Sequence, residues 1–170
     1  MQAKRKNDSC GGADFQAVLA APFFALGLCC DDAFVRGLTF LPPRAELLPQ
    51  TPLARTVAEV LSAWLKNPAT CLDLPFAAKG TEHQRAVWAV IAGIPCGKTR
   101  SYGEIAQMLN TSARAVGNAC AANPLPIVVP CHRVLTSKGA LGGFSGARSG
   151  WLLEIKRWLL ARENISGTGK

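Results

Sequence analysis

Histidine is scarce in this sequence, since the 170 residues contain only His83 and His132. The seven cysteines include no C-x-x-C pair and follow no regular spacing. A structural zinc site needs two pairs of ligands at a characteristic spacing, so we expect no metal site. An odd number of cysteines would invite mispairing in an oxidising compartment. The cysteine pattern therefore favours a reducing cytoplasm.

Acidic residues are nearly missing from the second half of the chain. Residues 1–76 contain seven Lys/Arg and seven Asp/Glu, whereas residues 77–170 contain twelve Lys/Arg and four Glu. The whole net charge of +8 therefore lies in the second half. Such a basic half favours a polyanionic partner, with nucleic acid first and a membrane surface second. A merely solubilising surface explains the charge equally well.

Long apolar runs are also lacking, and none is long enough to span a bilayer. The segment "VLAAPFFALGLCC" follows a basic start, as in a secretory signal, but Pro22 interrupts it and no small-x-small cleavage site follows. With Asp31-Asp32 as a turn signal and Pro42-Pro43 as a stop, residues 15–43 instead predict two or three strands. We therefore expect a cytoplasmic protein with no membrane partner.

Apolar periodicity predicts a series of helices after these strands. They cover residues 52–66, 81–95, about 102–109, about 112–121 and 151–163. Only a brief turn separates the third from the fourth, which is the helix-turn-helix arrangement. The prediction is an α/β (α+β) protein in two parts. Residues 1–76 form a small antiparallel sheet with one helix, preceded by a frayed terminus at 1–14 and ending in an extended linker, and residues 77–170 form a helical domain.

The fourth predicted helix is rich in small side chains, with Arg114 in its first turn. The small residues are Ala113, Ala115, Gly117 and Ala119. Such a helix can approach a surface closely, or it can pack tightly against another helix, and the pattern by itself does not choose between them.

The stretch "NPLPIVVPCHRVL", residues 123–135, places Cys131 beside His132 at the end of a predicted apolar strand. The pair is a candidate metal-ligand pair, hydrolase nucleophile, or thiol that reacts for its own sake. A free thiol titrates at about 8.5 and needs a base near neutral pH. Neighbouring side chains on a strand point to opposite faces. Connecting the pair therefore requires a tight turn after Pro130 or a bridging water.

Three stretches together resemble one family. "IPCGKTRSYGEIA", "ARAVGNACAANP" and "PIVVPCHRVLTSKGALGGFSG" are similar to the O6-alkylguanine-DNA alkyltransferases, also called methylated-DNA–protein-cysteine methyltransferases. The resemblance runs from about Leu72 to Glu163 and is looser before that. It implies a ribonuclease H-like amino-terminal domain and a DNA-binding domain that carries the acceptor cysteine.

The resemblance also implies roles for individual residues. Cys131 would accept the alkyl group and never be regenerated, His132 would take the thiol proton through a water, and Glu163 would orient His132. Asn123 would tie the active-site strand to the recognition helix. The substrate would contact Tyr102, Phe144, Ser145, Lys156 and Val134. The DNA would contact Ser101, Ala113, Arg114, Ala115, Gly117 and Arg133, with Arg114 filling the space left by the extruded nucleotide.

The sequence departs from the family pattern in several places. His83 and Phe144 stand where Phe and Tyr are usual. About five more residues than usual separate Phe144 from Lys156, which leaves Glu154 as an alternative to Glu163. The zinc ligands of some members are not reproduced around Cys29-Cys30.

The function that the resemblance implies is single-turnover repair of DNA. The substrate would be O6-alkylguanine, with O4-alkylthymine also expected, in duplex DNA whose damaged nucleotide is flipped out. We expect no cofactor, because alkyl transfer to a thiolate needs none, and a monomer that clusters on DNA. The rivals are a non-catalytic DNA-binding module, whose known forms replace the cysteine, and a cysteine hydrolase, which would need an oxyanion site.

Overall fold

The computed structural model describes residues 14–164, which divide into two compact units between Lys79 and Gly80. The expected frayed terminus, apart from Asp14, lies outside the described residues. The elements are β1 (Ala17–Ala20), β2 (Ala25–Cys30), β3 (Val35–Leu41), α1 (Pro52–Lys66), α2 (Glu82–Ala92), β4 (Arg100–Ser101), α3 (Tyr102–Met108), α4 (Ala113–Ala121), β5 (Val134–Leu135) and α5 (Trp151–Arg162). Within residues 14–164 no helix is both long and apolar enough to cross a membrane.

The first unit is built on a three-stranded antiparallel sheet in the order β1-β2-β3. The turn between β2 and β3 depends on Asp31, whose Oδ1 accepts hydrogen bonds from the backbone N–H groups of Ala33 at 2.9 Å and Phe34 at 2.7 Å. Asp side chains commonly close turns in this way. The strands predicted over residues 15–43 are therefore confirmed, as three strands.

Helix α1 covers the residues predicted for it and packs against β1 and β2. The Thr51 hydroxyl caps its start by accepting a hydrogen bond from the Ala54 N–H at 3.1 Å, and Pro52 occupies the first turn, where its missing N–H does no harm. The apolar stripe that predicted the helix is the face it buries. The buried residues are Ala54, Val57, Ala58, Leu61 and Trp64.

The predicted extended linker after α1 is partly incorporated into the sheet. The Val35 N–H donates to the Pro75 carbonyl at 2.8 Å, and the Ala77 N–H donates to the Val35 carbonyl at 3.1 Å. Residues 75–77 therefore lie parallel to the start of β3 and satisfy backbone groups at that edge.

The second unit contains the predicted helix-turn-helix, formed by α3 and α4. Ser101 and Glu104 form a capping box at the start of α3. The helix ends before Asn110, whose φ of 48° is left-handed, a conformation that Asn tolerates. The Ser112 hydroxyl then caps α4 by accepting from the Ala115 N–H at 3.2 Å. The short polar segment between the helices thus ends one and begins the other.

Helix α4 is held against α2 by a buried indole. Trp88 is 4% exposed, and its Nε1–H donates to the Ala119 carbonyl of α4 at 2.8 Å. Helix α4 packs against both α2 and α3, and apolar side chains of the three helices are buried. They include Val87, Ile91, Ile105, Val116 and Ala119.

The apolar strand predicted before Cys131 is not formed. Ile127 has a φ of 79°, so the segment turns instead of extending. Pro124 and Pro126 have no N–H to offer a sheet ladder. The Asn123 side chain takes the place of a neighbouring strand, because its Oδ1 accepts from the Leu125 N–H and its Nδ2 donates to the Val129 carbonyl, both at 2.9 Å. In the stretch 123–135 the strand is β5, which follows the cysteine and pairs with β4 in parallel.

We expect the change Trp88→Phe to lower the free energy of unfolding of the second unit by about 1–2 kcal/mol. The phenyl ring retains most of the apolar contact, but the buried Ala119 carbonyl loses its donor. Denaturant titration followed by circular dichroism measures the effect. The control is Trp151→Phe, because this partly exposed indole makes no hydrogen bond to residues 14–164. Equal stability of the two variants would contradict the role assigned to the Trp88 bond.

Candidate active site

Cys131 is the first residue of a short 3₁₀ turn that covers Cys131–Arg133. The turn follows Pro130, so a tight turn, one of the two arrangements required by the sequence, is present. The side chain is buried, with 5% of its surface exposed. Its Sγ accepts a hydrogen bond from Asn123 Nδ2 at 3.1 Å. Asn123 therefore fixes both the loop before the cysteine and the sulfur itself.

The pKa of Cys131 is raised well above its ordinary value. The main cause is a hydrogen bond with the thiol of Cys120 on α4, and burial adds to it. The Asn123 hydrogen bond and the charge of Lys156 act in the opposite direction without cancelling the rise. The sulfur is therefore held as a thiol at neutral pH. A base is needed before it becomes nucleophilic.

His132 is buried and contacts the end of α5. Its Nε2 lies 2.8 Å from Oε1 of Glu163, which follows the last helical residue. The alternative carboxylate, Glu154, is exposed near the start of α5. Despite the extra residues before α5, the carboxylate beside the imidazole is therefore the predicted Glu163 and not Glu154.

The proton positions on His132 follow from the charges around it. Burial lowers the pKa of His132 more than Glu163 raises it, so the imidazole is neutral. Glu163 is ionised and can only accept, so Nε2 carries the proton. Nδ1 is then the basic nitrogen. It is buried and makes no hydrogen bond to the described protein residues. The site therefore holds a neutral histidine with a free lone pair.

Arg133 is not available for the DNA contact predicted from the sequence. Its Nε donates to Oε2 of Glu163 at 2.9 Å and its Nη2 to Oε1 at 2.8 Å, while Nη1 reaches the Ile94 carbonyl at 2.6 Å. The residue is buried. The guanidinium is directed inward because a buried carboxylate needs a paired charge.

Glu163 is the common partner of these groups. Burial acts to raise the pKa of its carboxyl, but the hydrogen bonds from His132 and Arg133 outweigh it and lower the pKa to about 2. The backbone N–H of Gly97 adds a further bond at 3.1 Å. Because the carboxylate stays ionised, it can hold His132 in one tautomer across the neutral pH range.

A cavity of about 360 Å³ opens beside the Cys131 sulfur. Helix α4 and the loop 143–148 contribute most of its lining, and Tyr102 completes it. Burial raises the pKa of Tyr102, so its hydroxyl stays protonated and donates, here to the Gly143 carbonyl at 3.3 Å. The cavity can therefore present a nucleophile and a hydrogen-bond donor to one small planar ligand.

Lys156 was predicted to contact the substrate, but it lies behind the loop. It is fully buried, and its Nζ donates to the carbonyls of Val134, Leu141 and Gly143 at 2.7, 2.5 and 3.0 Å. Burial lowers its pKa to about 8. Neither Lys156 nor Val134 lines the cavity. The ammonium instead fastens the glycine-rich loop to β5.

The remaining predicted residues divide between the cavity and its surroundings. Those that line it with Cys131 are Tyr102, Ala113, Arg114, Gly117, Phe144 and Ser145. Ala115 and Ser101 do not, and Ser101 caps α3. Sequence reasoning missed Asn118, Cys120 and Arg148. Cys120 lies near the end of α4, three positions before Asn123, whose N–H donates to the Cys120 carbonyl at 3.2 Å. No group of three or more His, Cys, Asp or Glu side chains within residues 14–164 is placed to hold a metal ion.

The second unit, and the chain as a whole, are similar to known proteins. Residues 82–165 match the family model of the 6-O-methylguanine DNA methyltransferase DNA-binding domain. The methylated-DNA–protein-cysteine methyltransferase of Methanosarcina mazei is 35% identical over 154 residues, which cover 86% of this chain and 94% of the relative. The chain belongs to this methyltransferase family.

Solved structures of the methyltransferase family agree with the fold. The crystal structure of Mycobacterium tuberculosis O6-methylguanine methyltransferase is 34% identical, with a TM-score of 0.72, over 88% of this chain and 92% of that one. A structure of Mycobacterium tuberculosis OGT in complex with DNA has a TM-score of 0.70 at 34% identity, over 86% and 90% of the two chains. The α+β class predicted from the sequence is confirmed.

The change Glu163→Gln should lower the free energy of unfolding at pH 7 by about 3 kcal/mol, because it leaves Arg133 buried without its counter-charge. A carboxyl with a depressed pKa stabilises the fold above its ordinary pKa of about 4.5 and loses that effect as the pH falls towards about 2. The difference between variant and parent should therefore shrink below pH 4.5. Denaturant titration at several pH values measures it.

Glu154→Gln is the matched control, because it removes an exposed carboxylate from α5, the helix that Glu163 follows. It should change stability by no more than about 0.5 kcal/mol. A Glu163→Gln effect that persists unchanged at pH 2 would contradict the assignment of the charge.

Proposed function

We propose that this protein repairs O6-alkylguanine in DNA by a single, irreversible transfer of the alkyl group to Sγ of Cys131. The observation that carries the proposal is a buried thiol at a cavity of about 360 Å³, next in sequence to a neutral histidine that a buried carboxylate holds in one tautomer. Family membership supports the same reaction. In this proposal the histidine converts the thiol to a thiolate only when the substrate is present.

The chemistry begins with removal of the thiol proton. Nδ1 of His132 carries the free lone pair, so we assign it as the acceptor of the thiol proton. A bridging water carries the proton between the two side chains, which belong to neighbouring residues. The resulting thiolate attacks the alkyl carbon, a C–S bond forms and the C–O6 bond breaks. The electron pair leaves with the guanine, and the Tyr102 hydroxyl is the donor available to stabilise it. No later step removes the alkyl group from sulfur.

Glu163 and Arg133 act one step back from the reacting atoms. Glu163 accepts the Nε2 proton of His132 and so keeps Nδ1 basic, and it stabilises the imidazolium that forms. Arg133 holds the carboxylate through two hydrogen bonds. We therefore assign Arg133 a positioning role in place of the DNA contact that the sequence predicted.

Entry of the base requires that the nucleotide leave the helix stack, because the alkyl carbon inside a duplex is not open to in-line attack. Helix α4 presents Ala113, Gly117 and Arg114 at the cavity. Small side chains allow the helix to approach the minor groove, and Arg114 can occupy the space that the extruded base leaves. Basic residues of the second unit supply phosphate contacts.

The finer specificity also belongs to this proposal. Phe144 forms an apolar part of the cavity lining and Ser145 a polar part, so a purine can stack on one and bond to the other. O4-alkylthymine is a second substrate that the same chemistry serves. We assign DNA binding and alkyl transfer to residues 77–170, a supporting role to residues 1–76, and monomeric action that allows clustering on DNA.

The acceptor can be tested with a duplex that carries O6-methylguanine with a radiolabelled methyl group. The protein should take up one label per molecule, because the thioether does not turn over, and Cys131→Ala should take up none. Gel fractionation and peptide mass spectrometry locate the label. Cys71→Ala, which removes an exposed thiol of the first unit, is the control and should label fully. Label that stays on DNA, or that appears on Cys120, would refute Cys131 as acceptor.

Arg114→Ala should slow repair of O6-methylguanine in duplex DNA at least tenfold more than reaction with free O6-benzylguanine. The free base needs no extrusion, whereas the duplex must supply a few kcal/mol of unstacking energy. Single-turnover rates on both substrates measure the ratio. Arg157→Ala, which removes an exposed cation from α5, controls for general loss of charge. Equal losses on both substrates would exclude Arg114 as a flipping residue.

A further inference from the structure

We propose that Arg148 binds a backbone phosphate of the extruded nucleotide, as a second arginine at the cavity with a role separate from that of Arg114. The inference rests on the proposed function and adds a contact that the sequence analysis did not assign. It concerns how the flipped nucleotide is held, and it leaves the chemistry at Cys131 unchanged.

The charges around the cavity suggest a contact of this kind. Of the 14 residues that line it, two carry a formal charge, and both are arginines. None is acidic. An alkylated guanine base is uncharged and needs no arginine, whereas the nucleotide that carries it has a phosphate on each side. Arg114 is assigned to the DNA stack, so Arg148 is the cation left for a phosphate.

Arg148 reaches the cavity from a loop whose shape is set before DNA arrives. Phe144 and Ala147 exchange two backbone hydrogen bonds of 2.9 Å around a two-residue turn. Both residues of that turn have positive φ, 47° at Ser145 and 80° at Gly146, as a tight hairpin turn requires. Arg148 is the next residue after this closed turn.

The turn is also fastened at its base. A Cβ on Gly143 would lie 3.1 Å from the Ala147 carbonyl, so the two strands of the hairpin approach closely. Lys156 holds the Leu141 and Gly143 carbonyls. A loop anchored in this way loses little conformational entropy on binding. The arginine that it presents is therefore available to a ligand at little ordering cost.

A purely structural role for Arg148 does not fit its surroundings. The residue is exposed, and its guanidinium makes no hydrogen bond or ion pair with residues 14–164. The fold therefore does not depend on it.

The experiment measures DNA binding in a Cys131→Ala background, where the lesion is not consumed. Two duplexes of one sequence are compared by fluorescence anisotropy over a salt series, one with O6-methylguanine and one unmodified. Arg148→Gln should reduce the slope of log affinity against log salt by about one on the lesion duplex, the value for one lost phosphate contact. The reduction should be smaller on the unmodified duplex, whose nucleotides stay stacked.

Two further variants separate this contact from general charge loss. Arg148→Lys keeps the cation and should keep the slope. Lys138→Gln removes an exposed cation of the same unit that does not line the cavity, and it should affect both duplexes alike. Equal slope changes on the two duplexes for Arg148→Gln, or a result indistinguishable from that of Lys138→Gln, would overturn the inference.

The radiolabel assay with intact Cys131 separates failure of this inference from failure of the proposed function. If the parent protein takes up the label but Arg148→Gln binds the lesion duplex like the parent, only the phosphate contact is wrong. If the parent protein takes up no label, the repair function itself is wrong. Neither outcome can be mistaken for the other.

Discussion

The carboxylate of Glu163 is the group on which the active site depends. It is buried at the end of α5, where an unpaired charge would be strongly destabilising. His132, Arg133 and the Gly97 N–H compensate it, and together they keep the carboxyl ionised, with a pKa of about 2. The same contacts orient the imidazole. This buried carboxylate therefore joins the end of α5 to the turn Cys131–Arg133 and sets the proton positions beside Cys131.

The environment of Cys131 holds its sulfur in the unreactive thiol form at neutral pH. A hydrogen bond with the Cys120 thiol and burial both raise the pKa of Cys131. The proposed mechanism therefore assigns activation of this thiol to the neighbouring His132. The same division of tasks explains the loop, where Lys156 binds carbonyls from behind and leaves the cavity surface to Phe144 and Ser145.

Patterns in the sequence predicted those elements whose conformation is set by residues close together in the chain. The spacing of apolar residues marked the helices, α1 among them, because an amphipathic face is set by residues a few positions apart. The expected strand before Cys131 failed for the opposite reason. Its conformation depends on the Asn123 side chain, which replaces a neighbouring strand, and apolar composition does not reveal that.

The sequence by itself determined the two-part organisation, the helix-turn-helix and, through the resemblance of its motifs, the family. Tertiary structure decided which direction each polar side chain faces. Arg133 and Lys156 point inward because buried carboxylates and loop carbonyls must be satisfied, whereas Arg148 is left facing the cavity. These choices depend on contacts between residues tens of positions apart, such as His132 and Glu163, which no local pattern encodes.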